Sequence, residues 1–282
     1  MARPIRSALL ALLVALPAQA ILLRDGDGTQ NTTAPADDPG WENVGTKGAN
    51  GAVLLGNGWV LTASHVNAGP TRFDGVTYPL VKGSVIAFDL QFADLELYRV
   101  HPPPPIPALR LSPAPPPVGA EVVLIGHGFD RGAPLVVQGI GGFAWNVAHQ
   151  TKRWGTNTVF GVGRQAFTTV FDPPGAGTSH ECQATVHDSG GAAFFKDAEG
   201  QWVLGGIIVG NPNPGLPECP PPAGRNCSLY GYRTAINPLS RVFAAIQEKI
   251  VLAECEDGLD DDGDGRVDLA DPGCGGRADC VS

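Results

Sequence analysis

Short apolar runs separated by turn-forming residues fill the chain from about residue 50 onwards and limit it to a β-rich fold. The breaks between the runs hold Gly, Pro, Asn or Asp. With 38 Gly and 26 Pro among 282 residues, most of the chain is unsuited to long helices. The predicted strands are 51–55, 59–63, 85–88, 95–100, 121–125, 135–137, 159–162, 192–195 and 202–209.

Two proline clusters, at 101–107 and 113–117, divide these runs into two groups of similar size. Proline-rich stretches are stiff and lack backbone donors, so they suit a connector across a surface. We therefore predict an N-terminal β unit with its connector over 21–117 and a second β unit over 118–253. The second unit ends in one amphipathic helix, capped by Asn237 with Pro238 at its first position. Apolar residues recur there at helical spacing: Leu239, Val242, Phe243, Ile246 and Ile250.

Residues 1–20 have the organisation of a signal peptide. Arg3 and Arg6 precede an apolar run over 8–16, and Ala-Gln-Ala at 18–20 provides the small residues of a cleavage site. The run is too short to span a bilayer, and no later segment is apolar enough to do so. An uncleaved anchor is the alternative. We expect a mature chain that begins at Ile21 and is secreted or periplasmic, with no integral membrane segment.

The cysteines agree with export. An even number of cysteines in an exported protein indicates disulfides. The sequence contains no Cys-x-x-Cys pair of the kind that a zinc ribbon uses. The six are Cys182, Cys219, Cys227, Cys255, Cys274 and Cys280, and three bridges among them allow fifteen connectivities. The formal charge is −9, with no basic stripe, so nucleic-acid binding is excluded.

The acidic tail, 254–282, has the spacing of a calcium loop. Counted from Asp260, carboxylates stand at positions 1, 3, 5, 9 and 12, with glycine at position 6. The predicted Ca²⁺ ligands are Asp260, Asp262, Asp264, the Arg266 carbonyl, Asp268 and Asp271. Cys255 and Cys274 flank the loop and would staple so small a unit. The alternative is a solvated acidic tail.

Three segments carry the chemistry, in the order His65, Asp94 and Ser189. His65 ends an apolar strand, Asp94 begins another, and Ser189 lies in a turn followed by two glycines. A serine hydroxyl needs a base within hydrogen-bond reach, and a carboxylate fixes the tautomer of a histidine base. Each segment alone is a weak signal, whereas their order and local contexts together indicate a catalytic triad that needs no cofactor.

These segments resemble those of trypsin-like (chymotrypsin-fold) serine proteases, particularly the bacterial secreted members. Leu-Thr-Ala-Ser-His at 61–65 is similar to the family's Leu-Thr-Ala-Ala-His, and Asp-Ser-Gly-Gly at 188–191 matches four residues of Gly-Asp-Ser-Gly-Gly. The resemblance covers roughly 21–252. It implies an all-β fold of two perpendicular β-barrels with the active site between them, a C-terminal helix, and protein or peptide substrates.

The resemblance also implies roles for the residues around Ser189. The His187 and Ser189 N–H groups would form the oxyanion hole, and Asp188 would pair with a free N-terminal ammonium. Cleavage after Ala20 exposes Ile21, an aliphatic residue of the expected kind. Signal cleavage itself would then activate the enzyme. The alternative is that 21–23 is merely a first strand.

The chain departs from the family pattern at two places. His187 stands where the family has glycine, which tolerates backbone geometries that strain other residues. No acidic residue occurs over 182–187, and Gln183 precedes the serine by six, so a preference for Arg or Lys has no support. The expected function is a secreted serine endopeptidase. A catalytically inactive binding or adhesion protein of the same fold is the alternative, and an esterase-like hydrolase is a third possibility.

Overall fold

The structure is a computed structural model, and it describes residues 21–88, 93–213, 215–220 and 226–254. The predicted signal peptide lies outside the described residues. So do the calcium ligands from Asp260 to Asp271 and the proposed Cys255–Cys274 bridge. No helix in these four ranges is long and apolar enough to cross a membrane.

Eighteen strands and one α-helix make up the described fold. The strands are β1 (Leu22–Leu23), β2 (Val44–Lys47), β3 (Asn50–Gly56), β4 (Trp59–Thr62), β5 (Thr71–Phe73), β6 (Val76–Tyr78), β7 (Ile86–Ala87), β8 (Glu96–Arg99), β9 (Glu121–Gly126), β10 (Phe129–Val137), β11 (Ile140–Gln150), β12 (Arg153–Val162), β13 (Phe167–Val170), β14 (Cys182–Gln183), β15 (Ala192–Lys196), β16 (Trp202–Gly210), β17 (Cys227–Leu229) and β18 (Arg233–Pro238); the helix α1 is Phe243–Glu254.

The first half of the chain forms one seven-stranded antiparallel sheet that curls into a half-barrel, in the order β6-β5-β2-β3-β4-β8-β7. Its central strand β3 is buried on both faces, because Val53 and Leu55 pack into one apolar cluster while Ala52 and Leu54 pack into another. A strand covered on both faces reads as a continuous apolar run rather than an alternating one. That is why 51–55 was a clear strand signal.

The second half forms a closed six-stranded barrel, in the order β12-β13-β18-β16-β15-β9. The hairpin β10-β11 extends from it and is joined by β17 in a separate three-stranded sheet. The disulfide Cys219–Cys227 ties the segment before β17 to that strand. The short strand β1 pairs with β14, so the start of the described chain lies against the second half.

One apolar core spans both sheets. Val53 and Leu61 from the first sheet belong to the same cluster as Ile125 and Phe194 from the second. The cluster also receives Ile246 of α1. Because burial of these side chains depends on both halves, the face between the two sheets is held by the hydrophobic effect.

The all-β prediction with a C-terminal helix is confirmed, and each predicted strand overlaps an observed one. The predicted start of the helix is wrong: β18 continues through Pro238, a 3₁₀ turn spans Leu239–Arg241, and α1 begins at Phe243. Proline at 238 closes a strand in extended conformation (φ −73°, ψ 139°) instead of opening a helix. The expectation of three bridges is also wrong, because the buried Cys182 thiol is free.

Candidate active site

His65 lies in a single 3₁₀ turn, Ser64–Val66, directly after β4. The turn closes through the Val66 N–H, which donates to the Ala63 carbonyl at 2.9 Å. Lys47 of the neighbouring strand β2 donates from Nζ to the Val66 carbonyl at 2.9 Å. The loop that follows is held by Glu96 of β8, whose carboxylate accepts the Ala68 N–H. The sheet thus fixes the histidine backbone from both sides.

Asp94 holds His65 at two points. One carboxylate oxygen accepts the His65 main-chain N–H at 3.0 Å, and the other lies 2.5 Å from the ring Nδ1. The hydrogen bond to Asp94 raises the pKa of His65 above its ordinary value. Burial pushes the pKa of Asp94 upward, but the hydrogen bonds from the His65 ring, the His65 N–H and the Ser64 N–H outweigh it and hold the pKa low. The pair leaves Nε2 of a half-exposed imidazole free to take a proton.

Ser189 is placed against the same sheet through its main chain. Its carbonyl accepts the Gly51 N–H of β3 at 2.8 Å. The following residue, Gly190, has φ +85°, and a Cβ there would stand 1.9 Å from the Gly51 carbonyl and 2.4 Å from Thr62 Oγ1. Thr62 ends β4 and lies three residues before His65, so this glycine contact places Ser189 beside the strand that leads to the histidine. No hydrogen bond joins Ser189 Oγ to the His65 ring among the described residues.

The turn before the serine, residues 185–189, presents two free backbone donors. The Asp188 N–H donates to the Thr185 carbonyl at 3.3 Å, and His187, the third residue of that turn, has φ +76°. A positive φ at this position is the mark of a type II turn, which normally takes glycine. Within the described part of the chain, the N–H groups of His187 and Ser189 have no acceptor. Two unpaired N–H groups separated by one residue can bind an oxyanion.

The side chain of His187 supports this unusual backbone. Its ring packs edge-on against Phe129, with 4.7 Å between ring centroids, and its Nδ1 lies 3.4 Å from Asn50 Oδ1. Partial burial without a charged partner lowers the pKa of His187 below its ordinary value, so the ring is neutral near pH 7. The residue that departs from the family's glycine is thus held by a specific aromatic contact.

Asp188 is a fully buried carboxylate that connects three segments. It accepts the Gly128 N–H at 2.7 Å, the Thr185 N–H at 2.8 Å and the Thr185 hydroxyl at 3.1 Å. The Ile21 main-chain nitrogen also donates to it. Burial raises the pKa of Asp188 to about 6 even though these hydrogen bonds oppose the shift. Ile21 itself is fully buried, so the two residues paired by sequence resemblance lie together.

A cavity of about 480 Å³ opens beside Val186, next to the 185–189 turn. Gly210 and Asn211 line it, whereas Val209 packs toward the core. Gln183 is fully buried and donates to the Arg233 carbonyl at 3.0 Å instead of lining the cavity. The complete lining is Trp145, Val186, Gly210, Asn211, Pro212, Asn213, Glu218, Cys219, Cys227 and Tyr232.

Several supporting residues were not identified from the sequence. Lys47 and Glu96 steady the histidine turn, and Phe129 steadies His187. Their partners are 19 to 58 residues away along the chain, and no local motif marks such contacts. No group of three or more His, Cys, Asp or Glu suited to a metal exists in the ranges that the structure describes.

Comparisons with known proteins agree with this geometry. Residues 49–205 match the family model described as a trypsin-like peptidase domain. Mouse neuropsin, a serine protease, has a similar structure with 14% sequence identity and a TM-score of 0.51, over 78% of this chain and 98% of that one. Kallikrein-related peptidase 10, solved in complex with Zn²⁺, gives 17% identity and a TM-score of 0.52 over 77% and 98%. No curated protein matches the chain significantly. At these identities the structural likeness shows the fold.

Gly190→Ala should displace Ser189 and destabilise the fold. A Cβ at this position meets the Gly51 main chain and is held at positive φ, so we expect a loss of about 3–5 kcal/mol in the free energy of unfolding. Gly175→Ala is the matched control, because Gly175 has φ +89° but open space around its Cβ position. Its expected cost is about 1 kcal/mol, from backbone strain alone. Urea unfolding of both variants measures the difference, and equal losses would show that the Gly190–Gly51 approach is unimportant.

Proposed function

Because the chain belongs to the trypsin-like peptidase family, we propose that it is an exported serine endopeptidase with His65, Asp94 and Ser189 as its catalytic triad. The observation that carries the proposal is the double hydrogen bond from His65 to Asp94, through ring and main chain, on the sheet that also receives Ser189. The substrates are proteins or peptides, as the family implies.

The chemistry follows from the arrangement of these groups. His65 Nε2 takes the proton of the Ser189 hydroxyl as its oxygen attacks the carbonyl carbon of the scissile peptide. His65 then gives that proton to the leaving amine, and the acyl group stays on Ser189 Oγ. Water then loses a proton to the same imidazole and attacks the acyl carbon; the bond from that carbon to Ser189 Oγ breaks, the imidazolium returns its proton to Oγ, and the acyl group leaves as a carboxylic acid. Asp94 keeps Nδ1 protonated throughout, so Nε2 is always the atom that exchanges the proton.

The negative charge on the substrate oxygen is taken up by the N–H groups of His187 and Ser189. Neither donor has an acceptor among the described residues, so no existing hydrogen bond must break before they act. A loss of one such donor costs about 10²–10³ in turnover in other serine proteases. A backbone change at His187 that removed its donor would therefore slow turnover.

Activation involves the residues at the start of the predicted mature chain. A free ammonium on Ile21 would pair with Asp188, whose carboxylate already receives the Ile21 nitrogen. Removal of residues 1–20 during export would create that ammonium. The proposal also includes a Ca²⁺ ion held in a structural role by the acidic residues over 260–271, with no metal needed for catalysis.

An organophosphonate probe should label the purified chain that begins at Ile21 at one residue, Ser189. An activated serine attacks the phosphorus, and the free N–H pair accommodates the resulting oxyanion. Mass spectrometry of the labelled peptides measures the stoichiometry, with Ser189→Ala as the control that must stay unlabelled. A folded protein that gains no label would contradict the enzyme and favour a binding protein of the same fold.

Asp94→Asn should lower kcat/KM by about 10⁴ and move the acid limb of its pH profile downward. The base must be neutral, and the hydrogen bond to Asp94 raises the pKa of His65 above its ordinary 6.5, so activity in the parent chain falls as the pH drops through that raised pKa. An amide cannot stabilise the imidazolium, so the limb follows the lower pKa. Asp197→Asn, at a surface acid paired with Arg110, is the control. If the acid limb of Asp94→Asn did not shift, Asp94 would not be the residue that raises the pKa of the titrating group.

An extra residue before Ile21 should give the protein a stability that falls with rising pH. Without the ammonium, the Asp188 pKa of about 6 lies above its ordinary 3.8, so the native state binds more protons between these values. The free energy of unfolding then decreases from about pH 4 to pH 6, by up to about 3 kcal/mol. The chain that begins at Ile21 should lack this decrease, because the ammonium stabilises the carboxylate. Urea unfolding of both chains as Ser189→Ala variants measures it, and identical pH slopes would argue against pairing.

A further inference from the structure

Arg131 of β10 binds the main chain of the segment that follows Ile21, a segment that also pairs with β14 and is held by the Arg24 side chain. Its Nη1 donates to the Leu23 carbonyl at 3.0 Å, the Arg24 carbonyl at 2.6 Å and the Asp25 carbonyl at 3.3 Å. Its Nη2 donates to the Gly26 carbonyl at 2.6 Å. One planar guanidinium therefore binds four successive carbonyls, which a single ammonium group lacks the span to do.

Arg131 is also held by contacts within its own hairpin, β10-β11. Its guanidinium carbon lies 4.5 Å from the centroid of the Phe143 ring, and its main chain pairs with Trp145 across the β10-β11 hairpin. Partial burial lowers the pKa of Arg131, but a guanidinium stays charged in proteins. The contact is thus made by an oriented cation with a restricted side chain.

The residues just before Arg131 hold the 185–189 turn. Phe129 donates its N–H to the Val186 carbonyl at 3.0 Å, and its own carbonyl accepts the Thr185 hydroxyl at 3.0 Å. The Phe129 ring supports His187 at 4.7 Å, and the Gly128 N–H binds Asp188 at 2.7 Å. The stretch 128–131 therefore contacts the segment at 23–26 with one end and the turn that carries the proposed oxyanion donors with the other.

We propose that Arg131 is a positioning residue that couples docking of residues 23–26 to the geometry of the 185–189 turn. This inference rests on the proposed function, and it adds a second connection to the Ile21–Asp188 pair. The docked carbonyls fix Arg131, Arg131 fixes the start of β10, and Phe129 then keeps His187 at its positive φ. Because Arg131 binds main-chain carbonyls, its contact with residues 23–26 depends on the backbone path of that segment rather than on the side chains of the segment.

The test uses Arg131→Gln and Arg131→Lys in the chain that begins at Ile21, with Arg110→Gln as the matched control. Arg110 is an exposed arginine whose described partner is Asp197. Two rates are measured well below the unfolding temperature: modification of the Ile21 α-amino group by an amine-reactive ester, followed on the N-terminal peptide, and phosphonate labelling of Ser189. Thermal unfolding is recorded for every variant.

In Arg131→Gln we expect modification of Ile21 to become at least tenfold faster and labelling of Ser189 at least tenfold slower. Arg131→Lys should resemble Arg131→Gln, because it keeps the charge but loses the fork. Arg110→Gln should stay within about twofold of the parent chain in both rates. A merely structural role would lower the unfolding temperature of Arg131→Gln and leave both rates of the folded protein unchanged.

Unchanged rates in Arg131→Gln, or parental rates in Arg131→Lys, would overturn the coupling. Failure of the proposed function would look different, because the parent chain itself would then show no labelling of Ser189. The Ile21 modification rate needs no catalytic activity, so it still reports whether Arg131 docks the segment. If Arg131→Gln does not fold, Arg131→Lys carries the same two measurements.

Discussion

The buried carboxylate of Asp188 is the interaction on which the proposed active site depends. A fully buried charge is costly unless donors surround it, and here the donors come from three separate parts of the chain: Gly128, Thr185 and Ile21. Burial alone still raises the pKa of Asp188 to about 6. In the proposed activation, the ammonium of a free Ile21 would supply a positive charge to this carboxylate, to which the Ile21 nitrogen already donates. Under that proposal, pairing Asp188 and ordering the turn before Ser189 happen together.

Backbone geometry at His187 is the second constraint, and it is met by packing. A non-glycine residue at φ +76° is strained by about 1–3 kcal/mol and persists where its surroundings over-determine it. The Phe129 ring provides that support, and the N–H of the preceding residue, Gly128, binds Asp188. Histidine is therefore compatible with a free N–H at this position, and the departure from glycine does not by itself argue for an inactive protein.

The parts of the site that could be predicted from the sequence are those that short local motifs mark. His65, Asp94 and Ser189 each stand at the end of an apolar run or in a glycine turn, and such signals survive without tertiary information. The two-residue strand Cys182–Gln183 was not predicted, and a strand at 21–23 was only the alternative to an activating N-terminus, because two-residue pairings have no periodicity. Pro238 misled the helix prediction, since a fixed φ suits the end of a strand as well as the first turn of a helix. Arg131 and Phe129 were missed because their roles depend on partners about 60 to 110 residues distant.

The two sheets carry different parts of the site, and this explains why the glycines at their contact matter. The first sheet carries His65 and Asp94, while the second half carries Ser189, the unpaired N–H groups of His187 and Ser189, and the cavity beside Val186. The two halves meet where Gly51 faces Gly190 and Gly191 with no side chain between them. Since Ser189 immediately precedes Gly190, a side chain at that contact would push the Ser189 main chain away from β3. The apolar core shared by both sheets holds the two halves together, so packing far from Ser189 and His65 sets how closely these glycines approach.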